Sequence, residues 1–503
     1  MTFQAARRAR LKELQVSDEC IKSSFWQGCP PKGGTTEKAE PVRVLMYNVL
    51  ADAMSCDGFL VKPVLADWPA APGHVPTCDG GAEAPFEELL KEMLAAKADV
   101  SKLEECKKKY NREESVKNLN AVVDWQARKL QMMCIIDCFS PDVLVFAELD
   151  HYDQFLPLLR ELGYESQLES CKKDHPQYRP AHLDSFCDKD EALRKDFEKE
   201  WSARGFGFFP HLASASMHVH MQRTGLGRKI LETLDPKLCE KLTDKKKGGL
   251  ARTWYQKVPR GMSEQLLEKA GAMPTSLDDM GVAIFWKSSR FEAHELKVQS
   301  FPLGGKGLLQ VTLQDQQSKR KFSVIGCHLS SGDSAKDEEG RLTEEVLCPG
   351  GLLEAVHDVK AAGQGLILCT DSNSHPQITA AETEGSCWKH LRRGAGASVW
   401  DDFFDESGNP LTKDALDPPV TSNKVRGPLS EQAAKIGTHA YYLIDHIFFS
   451  PASFRMLQHA YVPQRFPTSE ANVAALEEVQ PSLHNPSDHY PVIADLAWEA
   501  ETF

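Results

Sequence analysis

The chain has 503 residues, of which 41% are hydrophobic and 26% are charged, and its net charge at pH 7 is −13. This length and balance are typical of a globular protein with one large domain and insertions, or with two or three ordinary domains. The acidic charge excludes a molecule-wide basic field for nucleic acid, so a polyanion would have to meet a local basic cleft or a bound cation.

Cysteine usage and the N-terminus bear on the compartment. The 14 cysteines are scattered, with no CxxC pair, which is typical of a reducing compartment, so we expect a cytoplasmic protein. Arg7, Arg8 and Arg10 precede the first acidic residue as in a mitochondrial presequence, but no apolar helical face accompanies them, which favours a solvated tail. A nuclear or mitochondrial location stays open. No apolar run approaches the length of a membrane span.

The first part of the chain predicts a tail, two buried strands and a helix. Residues 1–40 end in a linker rich in Pro and Gly, and a buried strand over Val42–Tyr47 then ends at Asn48. An amphipathic helix over Ser115–Cys138 is followed by an apolar strand that ends at Glu148. A helix, a short turn and an apolar strand in this order are typical of an α/β layer.

Two stretches predict insertions. Residues 51–114 combine a loop rich in Gly and Pro with a charged surface helix over 86–110. Residues 165–275 have little periodicity and predict an insertion or a lid. We therefore expect one domain over residues 41–500 that carries both insertions.

The rest of the chain predicts further strands that end in polar residues. The predicted elements are strands over Gly281–Lys287, Leu308–Leu313 and Phe322–Leu329, a helix over Glu345–Ala362, and strands over Leu366–Thr370 and Tyr442–Phe449. Asp445 lies inside an apolar run, and a buried carboxylate needs a partner. A final turn delivers Asp488 and His489 to the last strand, so His489 is the expected partner of Asp445.

Polar side chains close five separate apolar strands. They are Asn48, Glu148, His328, Asp371, Asn373, Asp445, Asp488 and His489. Each alone has an ordinary explanation, such as a turn former or a satisfied core histidine. Together they complement one another, because carboxylates bind Mg²⁺, Asn and His donate to phosphate oxygens, and an Asp supports the positive charge of a paired His. The set predicts metal-assisted hydrolysis of a phosphate ester.

These motifs resemble the endonuclease/exonuclease/phosphatase superfamily, in particular its carbon-catabolite-repression deadenylase and nocturnin-like branch. The matching stretches are Tyr47–Leu50, Pro141–Leu144 through Glu148, Gly281–Lys287, Cys327–Leu329, Asp371–Ser374, Ile444–Phe448 and Ser487–His489. The Ser-Asp-His and Asp-x-Asn stretches are specific in this order, whereas most of 165–275 has no counterpart.

The resemblance implies a fold and a metal. The fold is a two-sheet α/β sandwich, like deoxyribonuclease I, with helices on the outer faces and the site at one edge. The metal is Mg²⁺, or Mn²⁺, with Glu148 as the principal ligand, Asn48 beside it and Asp488 as a second candidate ligand.

The resemblance also implies catalytic roles. Asp371 would be the general base that orients the attacking water, and Asn373 and His328 would hold the phosphate. His489, supported by Asp445, would stabilise the developing charge.

The chain departs from the pattern of that branch at four positions. Ala147 stands where Gln is usual, Cys327 where Asn or Thr is usual, Ser330 where Lys is frequent, and His446 where Tyr or Phe is usual. The catalytic set is complete, so the departures bear on substrate recognition. The leucine-rich repeat of the largest deadenylases is missing.

The sequence leaves three alternative functions to be tested. The first is a 3′-5′ exoribonuclease of poly(A) type, with Arg252, Lys257 and Arg260 carrying the RNA backbone. The second is a phosphatase or phosphodiesterase for a nucleotide or an inositol phosphate, because one site of this kind serves many substrates. The third is an inactive scaffold, against which the complete catalytic set argues.

Overall fold

The structure is a computed structural model that describes residues 40–50, 59, 61, 122–123, 125–149, 152–166, 281–301, 306–411, 419–426, 439–460, 480–482 and 485–499. The predicted tail, the surface helix over 86–110 and nearly all of both predicted insertions lie outside these residues. Arg252, Lys257 and Arg260 lie outside them as well.

The described elements follow the predicted order. The strands are β1 (Val42–Asn48), β2 (Val143–Leu149), β3 (Tyr164–Glu165), β4 (Gly281–Lys287), β5 (Phe291–Ser300), β6 (Gly307–Asp315), β7 (Lys321–His328), β8 (Gly365–Asp371), β9 (Ala397–Ser398), β10 (Ser422–Val425), β11 (His439–Tyr442), β12 (Asp445–Phe449), β13 (Phe454–Ala460) and β14 (Val492–Trp498). The helices are α1 (Trp125–Phe139), α2 (Tyr152–Glu161), α3 (Ala335–Arg341), α4 (Leu352–Ala361) and α5 (Cys387–Ala395), with a π-helical turn at Leu342–Val346 after α3.

Two six-stranded mixed sheets pack against each other. Their strand orders are β13-β14-β1-β2-β4-β3 and β5-β6-β7-β8-β12-β9, and β10 and β11 form a separate hairpin. Helices α1 and α2 pack on the outer face of the first sheet, and α4 and α5 pack on the second. The predicted two-sheet α/β sandwich with outer helices is confirmed.

Strand β1 contributes side chains to two hydrophobic cores, one on each face of its sheet. Val42, Val44 and Met46 pack with residues of the second sheet, whereas Leu45 and Tyr47 pack with α1 on the outer side. Successive side chains of a strand point to opposite faces, so a strand covered on both faces is apolar throughout. This is why β1 is hydrophobic apart from Arg43, which pairs with Asp495, and the terminal Asn48.

Register brings the strand ends to one edge of the sandwich. The parallel pair β1 and β2 aligns Asn48 with Ala147, next to Glu148, and the parallel pair β7 and β8 aligns His328 with Asp371. Antiparallel β12 begins at the same edge, with Asp445 opposite Asp371. Residues that lie far apart in the chain therefore meet there.

Two predicted elements are wrong in detail. The helix predicted over Glu345–Ala362 begins only at Leu352, because Pro349, Gly350 and Gly351 interrupt it. Before that break, Glu345 belongs to the π-helical turn.

The strand predicted over Tyr442–Phe449 is two strands, β11 and β12. The backbone N–H groups of Ile444 and Asp445 donate to Thr421 Oγ1 at 2.9 and 3.0 Å instead of continuing a ladder. Asp445 is therefore the first residue of β12, at the edge of the sandwich, and does not lie in the middle of a strand.

The described cysteines are free and buried. In the described part of the chain, no helix combines the length and the apolar character needed to cross a bilayer.

Candidate active site

The first sheet supplies Asn48 and Glu148. Asn48 is fully buried, and its Nδ2 donates to Glu148 Oε1 at 3.1 Å and to Asp371 Oδ2 at 2.8 Å. Its Oδ1 accepts from the N–H of Leu50 at 3.0 Å. The amide oxygen is thus engaged by the backbone, while the amide nitrogen holds two carboxylates together.

Glu148 is aimed by a local irregularity of its strand. The pairing of β2 with β4 shifts register between Phe146 and Leu149, and Glu148 has a φ of 56°. A bulge of this kind redirects a side chain, and a left-handed backbone at a non-glycine residue costs about 1–2 kcal/mol. The Glu148 side chain remains 17% exposed at the rim of the site.

The second sheet supplies His328, Asp371 and Asn373. His328 Nε2 lies 3.6 Å from Asp371 Oδ2 and 3.8 Å from Glu148 Oε1. Asn373 Nδ2 lies 3.3 Å from His328 Nε2 and donates to the Leu329 carbonyl at 3.0 Å. These three side chains and Glu148 therefore face one small space.

Asp371 is ionised although it is buried. Burial alone would raise the pKa of its carboxyl, but His489, His328 and the hydrogen bond from Asn48 outweigh burial and hold the pKa below its usual range. Burial lowers the pKa of His328, so this imidazole is neutral at pH 7. The site therefore pairs a carboxylate with a neutral imidazole.

Asp445 and His489 form the predicted pair. His489 Nδ1 lies 2.7 Å from Asp445 Oδ2 and 3.9 Å from Asp371 Oδ2. Burial opposes protonation, but Asp445, Asp488 and Asp371 raise the pKa of His489 to about 10. Burial raises the pKa of Asp445 to about 6. At pH 7 the pair is an imidazolium and a carboxylate.

Asp488 is engaged by a basic side chain. Its Oδ2 pairs with Lys424 Nζ of β10, a contact that the sequence reasoning did not anticipate. Burial is outweighed by Lys424 and His489, which hold the pKa of Asp488 well below its usual range. Among the described residues, the clusters compatible with a metal do not include Asp488, so the predicted second ligand is engaged by an ammonium group instead.

Glu148, His328 and Asp371 fit a divalent metal. Their ligand atoms all lie within 4.8 Å of one another, and two of the three groups are carboxylates. Hard cations such as Mg²⁺ prefer oxygen ligands, and the 17% exposure of the Glu148 side chain leaves room for coordinated water. Asp371, Asp445 and His489 form a second cluster of the same dimensions, but its histidine and Asp445 already satisfy each other at 2.7 Å.

A buried arginine on α1 holds the loops that carry the site. Arg128 is fully buried and donates to the carbonyls of Val49 at 2.5 Å, Leu50, and Pro486 at 2.9 Å. It therefore joins the turn after Asn48 to the turn before Asp488. A lone arginine in an amphipathic helix gives no signal of this role in the sequence.

Comparisons with known proteins give similar structures. No family model matches the sequence, and no curated protein matches it. The human nocturnin catalytic domain with bound sulfate is 14% identical with a TM-score of 0.41, covering 92% of this chain and 94% of that one. ANGEL2, a 2′,3′-cyclic phosphatase, in complex with adenosine-2′,3′-vanadate is 15% identical with a TM-score of 0.41, covering 91% of this chain and 95% of that one.

A third similar structure is an endonuclease/exonuclease/phosphatase from Bacteroides vulgatus. It is 10% identical with a TM-score of 0.35, and the match covers 76% of this chain and 94% of that one.

Proposed function

We propose that the chain is a metal-dependent hydrolase of phosphate esters and that RNA, shortened from its 3′ end as by a poly(A) exonuclease, is its substrate. The observation that carries the proposal is the position of Asp371 between two histidines at one edge of the sandwich. Asp371 is ionised and belongs to the metal-compatible cluster, and its Oδ2 lies 3.6 Å from His328 Nε2 and 3.9 Å from Nδ1 of the protonated His489.

Each group has a task in phosphoryl transfer. Asp371 is ionised and positions the attacking water and accepts its proton. Asn373 and His328 hold the phosphate oxygens, and the His489 imidazolium, fixed by Asp445, stabilises the charge that develops on them. Glu148 would hold Mg²⁺, which would supply charge neutralisation at the phosphoryl group when bound.

Aromatic side chains beside the site favour a substrate with nucleobases. His375 follows the turn that carries Asn373, and its ring stacks on Tyr442 with centroids 6.1 Å apart and planes at 9°. Both side chains are partly exposed. Aromatic faces of this kind bind bases by stacking, at about 1–3 kcal/mol per base. An inositol phosphate has no planar ring to stack, so this surface supports RNA or a nucleotide.

The proposal is tested by comparing the wild type with Asp371→Asn over a range of Mg²⁺ concentrations. The substrates are 5′-labelled poly(A), mixed-sequence RNA, single-stranded DNA, a nucleoside 2′,3′-cyclic phosphate and small phosphate monoesters. We expect the wild type to produce a ladder of shortened RNA. The rate of shortening should fall about 10²–10⁴-fold in Asp371→Asn, because the variant lacks the proton acceptor. Asp358→Asn is the matched control, because the Asp358 side chain on α4 is 63% exposed. Its rate should equal that of the wild type.

The other outcomes are equally specific. The ratio of the cleavage rates on poly(A) and on mixed-sequence RNA measures the base preference. Intact RNA with phosphate released from a small ester would replace the RNA proposal with a small-molecule phosphatase. Wild-type turnover in Asp371→Asn would remove Asp371 from the mechanism, and inactivity on every substrate would overturn the hydrolase and favour a scaffold.

A further inference from the structure

We propose that the buried ion pair of Glu338 and Arg341 positions the phosphate-holding side chains Asn373 and His328. The inference rests on the proposed function, because it concerns the same site. Glu338 and Arg341 do not face the space between the catalytic side chains. They act through the two loops that carry those side chains, so they are positioning residues.

The pair is deeply buried in α3. The side chains of Glu338 and Arg341 are both 0% exposed, and Glu338 Oε2 accepts from Arg341 Nη2 at 2.6 Å and from Arg341 Nε at 3.1 Å. A buried ion pair adds little to stability, since the loss of hydration offsets most of the attraction. What it can do is fix the groups bonded to its remaining atoms.

Glu338 fixes the turn after β8. Its second oxygen, Oε1, accepts from Ser374 Oγ at 2.7 Å and from the N–H of Cys387 at 2.6 Å. Ser374 is the residue next to Asn373, and its carbonyl is held by Ser372 Oγ at 2.9 Å. The carboxylate thus joins this turn to the first residue of α5.

Arg341 fixes the loop after β7. Its Nη1 donates to the carbonyls of Ser330 at 3.0 Å and Gly332 at 2.9 Å, and this loop directly follows His328 and Leu329. Glu345, one turn further along, accepts from the N–H and the Oγ of Ser330 at 2.9 and 2.5 Å. The loop is thus held from the same helical segment that holds the other turn.

The two loops meet at the proposed phosphate site. Asn373 Nδ2 contacts His328 Nε2 at 3.3 Å and the Leu329 carbonyl at 3.0 Å. Glu338 is hydrogen-bonded to one loop and Arg341 to the other, and the two residues are hydrogen-bonded to each other. The pair therefore sets the separation of Asn373 and His328. A misplacement of about 1 Å in such a site costs about 10²-fold in rate.

The test is a double-mutant cycle on kcat and KM with Glu338→Gln, Asn373→Ala and the two combined. Glu338→Gln should lower kcat/KM for the ester that the wild type cleaves by about 10–100-fold. In the Asn373→Ala background, the same substitution should cost less than about threefold, because the group that it positions is gone. An equal loss in both backgrounds would overturn the inference, since a purely structural defect acts independently of Asn373.

Two further variants keep the test clear of misfolding. Ser374→Ala leaves the ion pair intact and removes its link to the turn, together with the longer bond that Ser374 Oγ accepts from the N–H of Trp388 at 3.3 Å. It should show the same coupling to Asn373→Ala. Asp401→Asn is the matched control, because Asp401 pairs with Arg392 at 2.6 Å on α5 without reaching either loop. It should lower the melting temperature and leave kcat unchanged.

Calorimetric binding of inorganic phosphate to the same variants separates the two proposals. Coupling between Glu338→Gln and Asn373→Ala in phosphate affinity, with no hydrolysis of any ester by the wild type, would support the positioning role and overturn the enzymatic function. Hydrolysis by the wild type with no coupling, in kcat/KM or in phosphate affinity, would overturn the positioning role alone.

Discussion

Glu148, a member of the metal-compatible cluster, and Asn373, which contacts His328 of that cluster, have φ angles of 56° and 49°. Left-handed backbone is unusual at residues with a side chain and tends to occur where function requires a particular direction. Asn tolerates it better than Glu, because the short polar side chain of Asn can hydrogen-bond to the nearby backbone. The site therefore accepts local strain in order to aim these two side chains at one space.

The His489–Asp445 pair predicts a pH dependence of stability. The pKa of His489 is about 10 in the folded protein against about 6.5 in the unfolded chain, so between these values the folded state binds one more proton. Its stabilisation is therefore complete below about pH 6.5 and is lost as the pH rises through 10. We expect the free energy of unfolding to fall with pH from 7 to 10, by at most about 1.4 kcal/mol per unit.

Asp445→Asn supplies the comparison for this prediction. The variant removes the charge that contributes most to the raised pKa of His489 and keeps an oxygen that can accept from Nδ1. Urea denaturation at pH 7, 8, 9 and 10 should give a flatter dependence in Asp445→Asn than in the wild type. Parallel slopes would show that another group binds the proton.

At this scale the sequence predicted some contacts and missed others. The pairing of Asp445 with His489 followed from one argument, that a carboxylate in an apolar run needs a partner, and it is confirmed. The bond between Asp488 and Lys424 could not be predicted, because a lysine in a four-residue strand reads as a solvated side chain. Glu338 and Arg341 also read as solvent-facing, since the helix Ala335–Arg341 is highly polar.

Among the elements, the strands were predicted better than their interruptions. An apolar run closed by a polar residue located β1, β2, β7 and β8, because covered strands must be apolar and their ends must meet water or ligands. The break between β11 and β12 depends on Thr421, whose hydroxyl takes two backbone N–H groups from a distant part of the chain. Such a tertiary bond leaves no local pattern.

Gly326 of β7 predicts how closely the two sheets approach. A Cβ at this position would lie 2.7 Å from Val282 Cγ1 and 2.8 Å from Val145 Cγ1, both on the first sheet. Gly326→Ala should lower the free energy of unfolding, because overpacking costs about 1–3 kcal/mol. That exceeds the gain of about 0.4–1 kcal/mol from a stiffer unfolded chain. Denaturant midpoints measure the difference.

A second glycine supplies the matched control. A Cβ at Gly340, within α3, would meet nothing within 4 Å, so Gly340→Ala should raise stability by about 0.5–1 kcal/mol. If Gly326→Ala were as stable as the wild type, the sheets would have to be separated more widely at β7 than the structure gives.

On the scale of the whole molecule, the two ends of the sandwich differ in the role of their charged residues. At the end opposite the site, Arg290 pairs with Asp142 at 2.9 Å and Asp315 at 3.4 Å, and Arg43 pairs with Asp495 at 2.7 Å. Arg290 thereby ties the first sheet to the second. This end carries ion pairs that bind the sheets together, which leaves the charged groups at the other end for chemistry.

The predicted insertion over 165–275 leaves and re-enters the sandwich at one edge. Glu165 of β3 pairs with Trp286 of β4, and Ser166 Oγ donates to the Ile284 carbonyl at 3.0 Å. Ser166 therefore lies about 13 Å from the start of β4, at about 3.3 Å per strand residue. A flexible linker of eight residues spans about 16 Å, so it can replace residues 168–279.

We expect this deletion variant to fold and to separate catalysis from RNA binding. All eight predicted strand-end residues lie outside the deleted segment, so hydrolysis of a small phosphate ester should persist in the wild-type range. The KM for RNA should rise and lose its dependence on salt, because Arg252, Lys257 and Arg260 are the predicted contacts to the RNA backbone. Steady-state kinetics at two salt concentrations measures both effects, and replacing the three residues by Ala in the full chain is the control. An unchanged KM for RNA in both variants would remove these residues from substrate binding, whereas a folded deletion variant inactive on every ester would place part of the active site within the insertion.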